Sequence, residues 1–241
     1  MTVPRFNHAN VLSRRTLIRA SGLAEASLTT AGLAACASTV PNRGALSTGN
    51  TVTPSSGPHP DNRPKVLLAY FSRAGENYWN GGRRILETGN TEVLAAMLST
   101  QLGCDVYQIE AADPYSKRYD PTVARNVREQ DSDARPQIAN ALPNLEGYDT
   151  VLIGSPIWNV QPPMIMATFI EAVDVAGKTL LPFVTYAVSG LGSTQDFYRA
   201  LDSGADLGDG LAVRGEEVTN ADNDIDQWLR ATGLVGKETS P

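Results

Sequence analysis

Histidine is scarce in this chain of 241 residues, and both copies, His8 and His59, precede the part that the sequence pattern predicts to fold. An imidazole-based metal site or a Ser-His-Asp triad is therefore excluded from the folded core. Cysteine is equally rare: Cys36 and Cys104 are the only two, so the sequence carries no disulfide framework. No side chain is an obvious general acid or base, and we predict neither a catalytic residue nor a metal site.

Clustered positive charge is also missing after residue 20, and the formal net charge is −6. Proteins bind nucleic acids mainly through Lys and Arg contacts to phosphates, so a nucleic-acid partner is not expected. The motifs G-x-x-x-x-G-K-[ST] and G-x-G-x-x-G are absent too, which excludes the NTPase loop and the dinucleotide fingerprint. Apolar residues make up 41% of the chain, which is typical of a globular protein with a substantial core.

Residues 1–36 have the layout of an export signal rather than of a domain. Arg14-Arg15 precede a weakly apolar stretch, residues 20–35, that is too short and too polar to be a permanent membrane span. The paired arginines resemble a twin-arginine signal. The end of the stretch, Leu33-Ala34-Ala35-Cys36, resembles a bacterial lipoprotein cleavage box, in which the cysteine is lipidated. The alternative is an amphipathic helix with an incidental cysteine.

The rest of the chain divides into three parts. Residues 37–63 are rich in Ser, Thr, Pro, Gly and Asn, which predicts a flexible tether. Residues 64–235 are predicted to form one domain, and residues 236–241 a disordered tail. Together with the signal, this organisation predicts an exported protein on the outer face of the cell membrane, with membrane contact only through a lipid on Cys36.

Strands and helices alternate from residue 65 onward. The predicted strands are Lys65–Phe71, Asp105–Glu110, Thr150–Gly154, Thr179–Tyr186 and Leu211–Arg214. The predicted helices are Glu92–Leu102, Asp120–Glu129, Pro163–Val173, Thr194–Leu201 and Asn220–Thr232. This alternation is typical of a doubly wound α/β domain with a parallel sheet and helices on both faces.

The first strand runs directly into Ser72-Arg73-Ala74-Gly75, and Gly89-Asn90-Thr91-Glu92 later opens a helix. A helix start supplies unpaired N–H groups and the positive end of a dipole, which together suit a phosphate. Ser72, Asn90 and Thr91 add side-chain donors without a lysine. The alternative is an ordinary polar turn in which Asn90 or Thr91 caps the helix.

Two further strands end in loops of unusual composition. One loop contains Pro156-Ile157-Trp158-Asn159, which is suited to stacking on a flat ring, and residues 187–193 are rich in Gly and Ser, so their backbone can approach a ring edge closely. In an open α/β sheet such loops converge at the carboxyl ends of the strands. A phosphate, a flat ring and edge contacts describe a mononucleotide, and FMN fits all three.

Four segments, in order, resemble the flavodoxin-like family: V-L-L-A-Y-F-S-R-A-G…G-N-T, I-G-S-P-I-W, G-K-T-L-L-P-F-V-T-Y and G-L-A-V-R-G. The resemblance covers about residues 65–235 and implies a five-stranded sheet of order 2-1-3-4-5 that binds FMN non-covalently. Carried over residue by residue, it places Ser72, Arg73, Asn90 and Thr91 at the phosphate. It places Pro156, Ile157, Trp158 and Asn159 in the first ring-flanking loop, and Tyr186, Ser189, Gly190 and Gly192 in the second.

Residues 76–88 depart from the family pattern because they interrupt the phosphate loop. The segment either flanks the flavin, acts as a lid or spoils the site, and its Tyr78 and Trp79 either pack on the domain or form a second aromatic wall. Arg73 either neutralises the phosphate or is a solvated charge. Trp158 is either a neighbour of the ring or a core aromatic.

The function that these features predict is an FMN-binding flavoprotein for electron transfer, with a redox protein or a quinone as its partner. One alternative is an enzyme on the same fold, an NAD(P)H-dependent quinone or flavin reductase. A second alternative is a binding module that keeps the fold without a flavin.

Overall fold

A computed structural model of the chain describes residues 64–236. The predicted export signal with Cys36, the linker 37–63 and all but the first residue of the predicted tail lie outside the described residues. Between residues 64 and 236, no helix combines the length and the hydropathy needed to cross a membrane.

The described residues form eight strands, five α-helices and one 3₁₀ helix. The strands are β1 Val66–Tyr70, β2 Gly75–Trp79, β3 Gly82–Leu86, β4 Asp105–Gln108, β5 Thr150–Pro156, β6 Thr179–Tyr186, β7 Asp206–Leu207 and β8 Leu211–Arg214. The helices are α1 Asn90–Leu102, α2 Tyr119–Asp131, α3 Ile165–Ala172, α4 Thr194–Ala200 and α5 Asp222–Ala231, with the 3₁₀ helix at Gly215–Asn220.

The main sheet is parallel and confirms the predicted strand order. Its sequence of neighbours is β4-β1-β5-β6, and β7 and β8 share the position beyond β6. In the numbering of the five predicted strands this order is 2-1-3-4-5. The chain therefore moves from β1 to one side and then returns to the other, which creates a switch point between β1 and β5, where such folds bind ligands.

Both faces of the sheet are buried, and β1 shows how its sequence achieves this. Leu67, Ala69 and Phe71 point into a core that includes α3, while Leu68 and Tyr70 point into a core built with α1 and α5. Because successive side chains of a strand alternate between faces, a strand that is covered on both sides is apolar throughout. This accounts for the continuous run Val66–Phe71.

Helix α2 departs from the expected arrangement because it does not join either core. Its buried residues are Thr122, Asn126 and Glu129, and none belongs to the two apolar clusters. A helix without an apolar stripe gains little from packing on a sheet. It lies instead against β2 and, through Gln130, against the loop after β5.

An antiparallel hairpin, β2-β3, spans residues 75–86 and so makes up most of the segment 76–88; the sequence analysis did not identify it. Asn80 and Gly81 form its tip with φ values of 45° and 84°. An Asn-Gly pair favours this tight turn because both positions need positive φ. The Asn80-Gly81 pair was therefore an available sequence signal for the hairpin.

Candidate functional site

A cleft of about 870 Å³, including space open to solvent, lies at the carboxyl ends of β1, β5 and β6. The loops that follow these three strands line it, together with the start of α1. Helix α2 and the beginning of the 3₁₀ helix form further walls. The cleft is therefore at the switch point of the sheet, where the sequence analysis expected the three loops to meet.

The start of α1 forms one end of the cleft. Helix α1 begins at Asn90 after Gly89, and the Glu92 N–H donates to the Ser72 hydroxyl at 3.1 Å. Within residues 64–236, the N–H groups of Asn90 and Thr91 have no hydrogen-bond partner. A Cβ atom on Gly89 would lie 2.3 Å from the Ser72 hydroxyl oxygen, so only glycine lets the loop approach the helix this closely. This end has the geometry of an anion site.

Asn90 and Thr91 both line the cleft, but their side chains differ in surroundings. The Thr91 hydroxyl is buried and lies 2.7 Å from the Thr185 hydroxyl at the end of β6. The Asn90 amide packs against the 3₁₀ helix, where a Cβ atom on Gly215 would lie 2.3 Å from its Nδ2 atom. The sequence analysis named Asn90 and Thr91, whereas Thr185 and Gly215 come from distant parts of the chain.

Arg73 lines the same end of the cleft and donates to backbone carbonyls. Its guanidinium binds the carbonyl oxygens of Ser116 at 3.0 Å and Ala74 at 3.2 Å, and that of Glu76. Burial lowers the pKa of the guanidinium below its ordinary value. Arg73 is thus not a solvated surface charge, and its visible role is to join the loop after β1 to the loop before α2.

Trp158 forms an aromatic cluster at the other end of the cleft. Its ring meets those of Phe71 and Tyr115 edge-on, with centroids 5.6 and 5.1 Å away, and it also lines the cleft. The Tyr115 hydroxyl donates to the Glu129 carboxylate at 2.7 Å, and the Arg125 guanidinium lies 3.9 Å above the Tyr115 ring. Burial and the contact with Glu129 raise the pKa of Tyr115. Trp158 is therefore both packed against the core and available at the cleft.

The rest of the first ring-flanking loop is tied to α2. Asn159 has φ of 50° within a turn closed by the Trp158 N–H, which donates to the Gln161 carbonyl at 2.9 Å. Gln130 donates to the Trp158 carbonyl at 3.0 Å and accepts from the Asn159 amide at 2.8 Å. Pro156, Ile157 and Asn159 line the cleft as the sequence analysis expected.

The second ring-flanking loop contributes less to the lining than expected. Tyr186 lines the cleft together with Ala187, but Ser189, Gly190 and Gly192 do not. A Cβ atom on Gly192, whose φ is 54°, would lie 2.0 Å from the Val160 carbonyl oxygen. Steric contact with the neighbouring loop therefore explains this glycine, and in this conformation the two loops are packed against each other.

Helix α2 supplies lining residues that the sequence analysis missed. They are Tyr119, Thr122, Val123 and Asn126. Asn126 is 2% exposed, and its Oδ1 atom has no hydrogen-bond partner among the described residues. Polar residues three or four positions apart form a stripe along one face of a helix. Such a stripe, made of Tyr119, Thr122, Asn126 and Gln130, was the signal that the sequence analysis missed.

The hairpin flanks the cleft and does not fill it. The Glu76 carboxylate accepts from the Tyr119 N–H at 2.8 Å, and Arg83 donates twice to the Asp120 carboxylate, at 2.6 and 3.0 Å. At the tip, the Asn80 N–H donates to the Glu216 carboxylate at 2.9 Å. Asn77 and Tyr78 line the cleft, whereas Trp79 lies under the Arg84 guanidinium, 4.6 Å from its ring centroid.

The lining is nearly neutral. Arg73 and Glu216 are the only charged residues among the described residues that line the cleft, and Glu216 lies 3.5 Å from the Arg214 guanidinium. Anion binding at the start of α1 would therefore rely on N–H and hydroxyl groups. Among residues 64–236, no group of three or more His, Cys, Asp or Glu residues is placed to hold a metal ion.

Comparison with known proteins gives one family match. A sequence model of the family described as flavodoxin matches residues 65–232. No curated protein matches the chain.

Several solved structures share the fold. Candidate flavoproteins from Bacteroides eggerthii and Bacteroides uniformis are each 28% identical, with TM-scores of 0.57 and 0.56. These matches cover 71% and 70% of this chain and 99% of each Bacteroides chain. A flavoprotein from Lactobacillus acidophilus, solved in complex with FMN, is 15% identical over 69% of this chain and 99% of that one, with a TM-score of 0.52.

Proposed function

Because the chain belongs to the flavodoxin family, we propose that its cleft binds FMN non-covalently and that the protein carries out electron transfer. The observation that carries this proposal is the cleft at the switch point. It has unpaired helix N–H groups at one end and an exposed face of an aromatic cluster at the other. A phosphate and a flat ring need these two environments.

The residues of the cleft fit FMN. The start of α1 offers one anion site, which matches a single phosphate, and the described lining contains no second glycine-rich phosphate loop. The buried acceptor on Asn126 has no partner among residues 64–236 and matches a ligand that carries hydroxyl groups. The Bacteroides and Lactobacillus structures support the same ligand class.

FMN, when bound, supplies reversible uptake of electrons, and the protein supplies binding, orientation and exclusion of water. The N–H groups of Asn90 and Thr91 would hold the phosphate. Trp158, which Phe71 and Tyr115 hold in place, would give the ring a fixed apolar surface. The Gln130 contacts to Trp158 and Asn159 would keep this loop in one conformation.

We also propose that the protein is exported and lipid-anchored through Cys36, and that it exchanges electrons with a redox protein or a quinone. The support for export is the sequence of residues 1–36, which lie outside the described residues. A flavin that is held non-covalently has to be inserted where FMN is made, so a route that exports folded proteins suits this function.

Native purification followed by heat release and mass spectrometry tests the cofactor. We expect a yellow protein that releases FMN. Release of FAD, or failure to bind any flavin after reconstitution, would overturn the proposal. Adding NAD(P)H without oxygen then separates a carrier from a reductase: a carrier keeps its visible spectrum, whereas rapid bleaching would identify a reductase.

A further inference from the structure

Asn126 is a buried amide whose oxygen no other described residue satisfies. The residue is 2% exposed, its Oδ1 atom lacks a partner within residues 64–236, and it lines the cleft. The other two buried polar residues of α2 are satisfied. Thr122 donates to the carbonyls of Ser116 and Arg118, and Glu129 binds Tyr115 and Arg125. Because a buried polar group without a partner destabilises the fold, this exception needs an explanation.

The position of Asn126 along α2 places it between the two ends of the cleft. At the start of α2, the Tyr119 N–H donates to Glu76, beside the end of the cleft where the phosphate is proposed to bind. Gln130 binds Trp158 and Asn159 at the opposite end, which the aromatic cluster forms. Asn126 follows Tyr119 by about two helical turns and precedes Gln130 by about one. It therefore faces the middle of the cleft.

The unsatisfied atom is an acceptor, so the ligand has to supply a donor. Oxidised FMN has two kinds of donor, the hydroxyl groups of its ribityl chain and the imide N–H of its ring. The phosphate has none at neutral pH, and the ring belongs at the Trp158 end. The ribityl chain joins the phosphate to the ring and so belongs opposite Asn126. A hydroxyl both donates and accepts, so the match holds for either orientation of the amide.

We propose that Asn126 is a specificity-determining residue of the cleft and accepts a hydrogen bond from a ribityl hydroxyl of the flavin. The inference rests on the proposed function. It adds a recognition element on α2 for the polyol part of the ligand, separate from the phosphate site on α1 and from the aromatic surface. Ligands with the ring but without the polyol are then discriminated against.

The test uses the full chain with Asn126→Leu, which preserves the approximate volume and removes the amide. FMN, riboflavin and lumiflavin, which has no ribityl chain, are titrated by quenching of their fluorescence. We expect affinity for FMN and for riboflavin to fall roughly tenfold, and affinity for lumiflavin to stay unchanged. The matched control is Tyr198→Phe on α4, which removes a different buried polar group without a partner among the described residues, a hydroxyl that does not line the cleft. This control should bind all three ligands as the wild type does.

Thermal unfolding of the flavin-free proteins gives a second readout. Asn126→Leu should unfold at the same temperature as the wild type or higher, because the substitution removes an unsatisfied polar group. A lower unfolding temperature together with unchanged affinity would show a merely structural role. An equal loss for lumiflavin would assign the contact to the ring. If the wild type binds no flavin, the proposed function and this inference both fail. If the wild type binds flavin and Asn126→Leu binds FMN and riboflavin equally well, only the inference fails.

Discussion

At the start of α1, where we propose that the phosphate binds, single residues offer mainly neutral donors. The N–H groups of Asn90 and Thr91 point to an anion site, whereas the nearby cation, Arg73, is bound to backbone carbonyls. Donors that are fixed in place by a helix lose little entropy when they bind, so they serve an anion well without a mobile lysine. The affinity for the phosphate should therefore be sensitive to small changes at these positions.

Thr91→Ala should weaken FMN binding about tenfold or more, and riboflavin binding much less. The hydroxyl of Thr91 lies beside the helix start and contacts the Thr185 hydroxyl at 2.7 Å. A hydrogen bond to a charged group contributes about 1.5–3 kcal/mol, and riboflavin lacks the phosphate. Fluorescence titration with both ligands measures the difference. Thr91→Ser keeps the hydroxyl and is the control. An equal loss for the two ligands would show that the phosphate is held elsewhere.

Among the secondary-structure elements, the hairpin β2-β3 and helix α2 together form a wall that the plain α/β pattern does not contain. Two contacts join the hairpin to the start of α2, Glu76 with the Tyr119 N–H and Arg83 with Asp120. The Arg83 guanidinium also lies 4.5 Å above the Tyr119 ring. Because both elements line the cleft, their separation would open one side of it.

Arg83→Ala should speed the dissociation of FMN while barely changing the unfolding temperature. The substitution removes both hydrogen bonds to Asp120, but the pair is exposed and contributes little to global stability. Stopped-flow mixing measures the dissociation rate, and hydrogen exchange of residues 76–86 reports the detachment. The control is Arg199→Ala, which breaks another exposed pair, on α4, in which Arg199 lies 2.9 Å from Asp196. Equal dissociation rates for Arg83→Ala and the wild type would contradict the prediction.

The same contact should weaken in acid. The hydrogen bonds from Arg83 lower the pKa of the Asp120 carboxyl below its ordinary value. A carboxyl with a lowered pKa stabilises the folded contact fully above its ordinary pKa and loses this effect as the pH falls through the lowered value. The dissociation rate of the wild type should therefore approach that of Arg83→Ala in acid, and only there.

At the scale of the whole molecule, the sequence of residues 1–36 makes the N-terminal segment the proposed membrane contact. An anchor on Cys36 followed by the tether 37–63 would let the domain reach partners near the membrane surface. The location of the protein and its flavin chemistry are separate proposals, and they can fail separately.

Replacing Arg14 and Arg15 together by Lys should leave the protein in the cytoplasm, because the twin-arginine route reads the arginine pair. Cys36→Ser should leave it exported but without a lipid, and therefore in the soluble fraction. Cell fractionation and mass spectrometry of the N-terminus check both outcomes, and the wild type is the control. A wild-type protein that stays in the cytoplasm with residues 1–35 attached would contradict the export proposal.

The sequence by itself determined the alternation of strands and helices, the burial of β1 on both faces and the importance of the loops after β1, β5 and β6. These features follow from local patterns, in which an apolar run meets a turn within a few residues. The strand order was implied by the family resemblance and is confirmed. The residues that the sequence analysis named after β1 and β5 line the cleft for the same local reason, and their contact with a cofactor stays a prediction.

Only the tertiary structure decided which distant groups complete the cleft. Arg73 donates to the Ser116 carbonyl, 43 residues further along the chain. The Asn80 N–H donates to the Glu216 carboxylate, 136 residues further along the chain. Local patterns carry no information on such pairs because these contacts form only once the sheet has brought the segments together. For the same reason α2, which has no apolar stripe to bury against the sheet, became a wall of the cleft, and Gly192 after β6 came to pack on Val160 of the neighbouring loop.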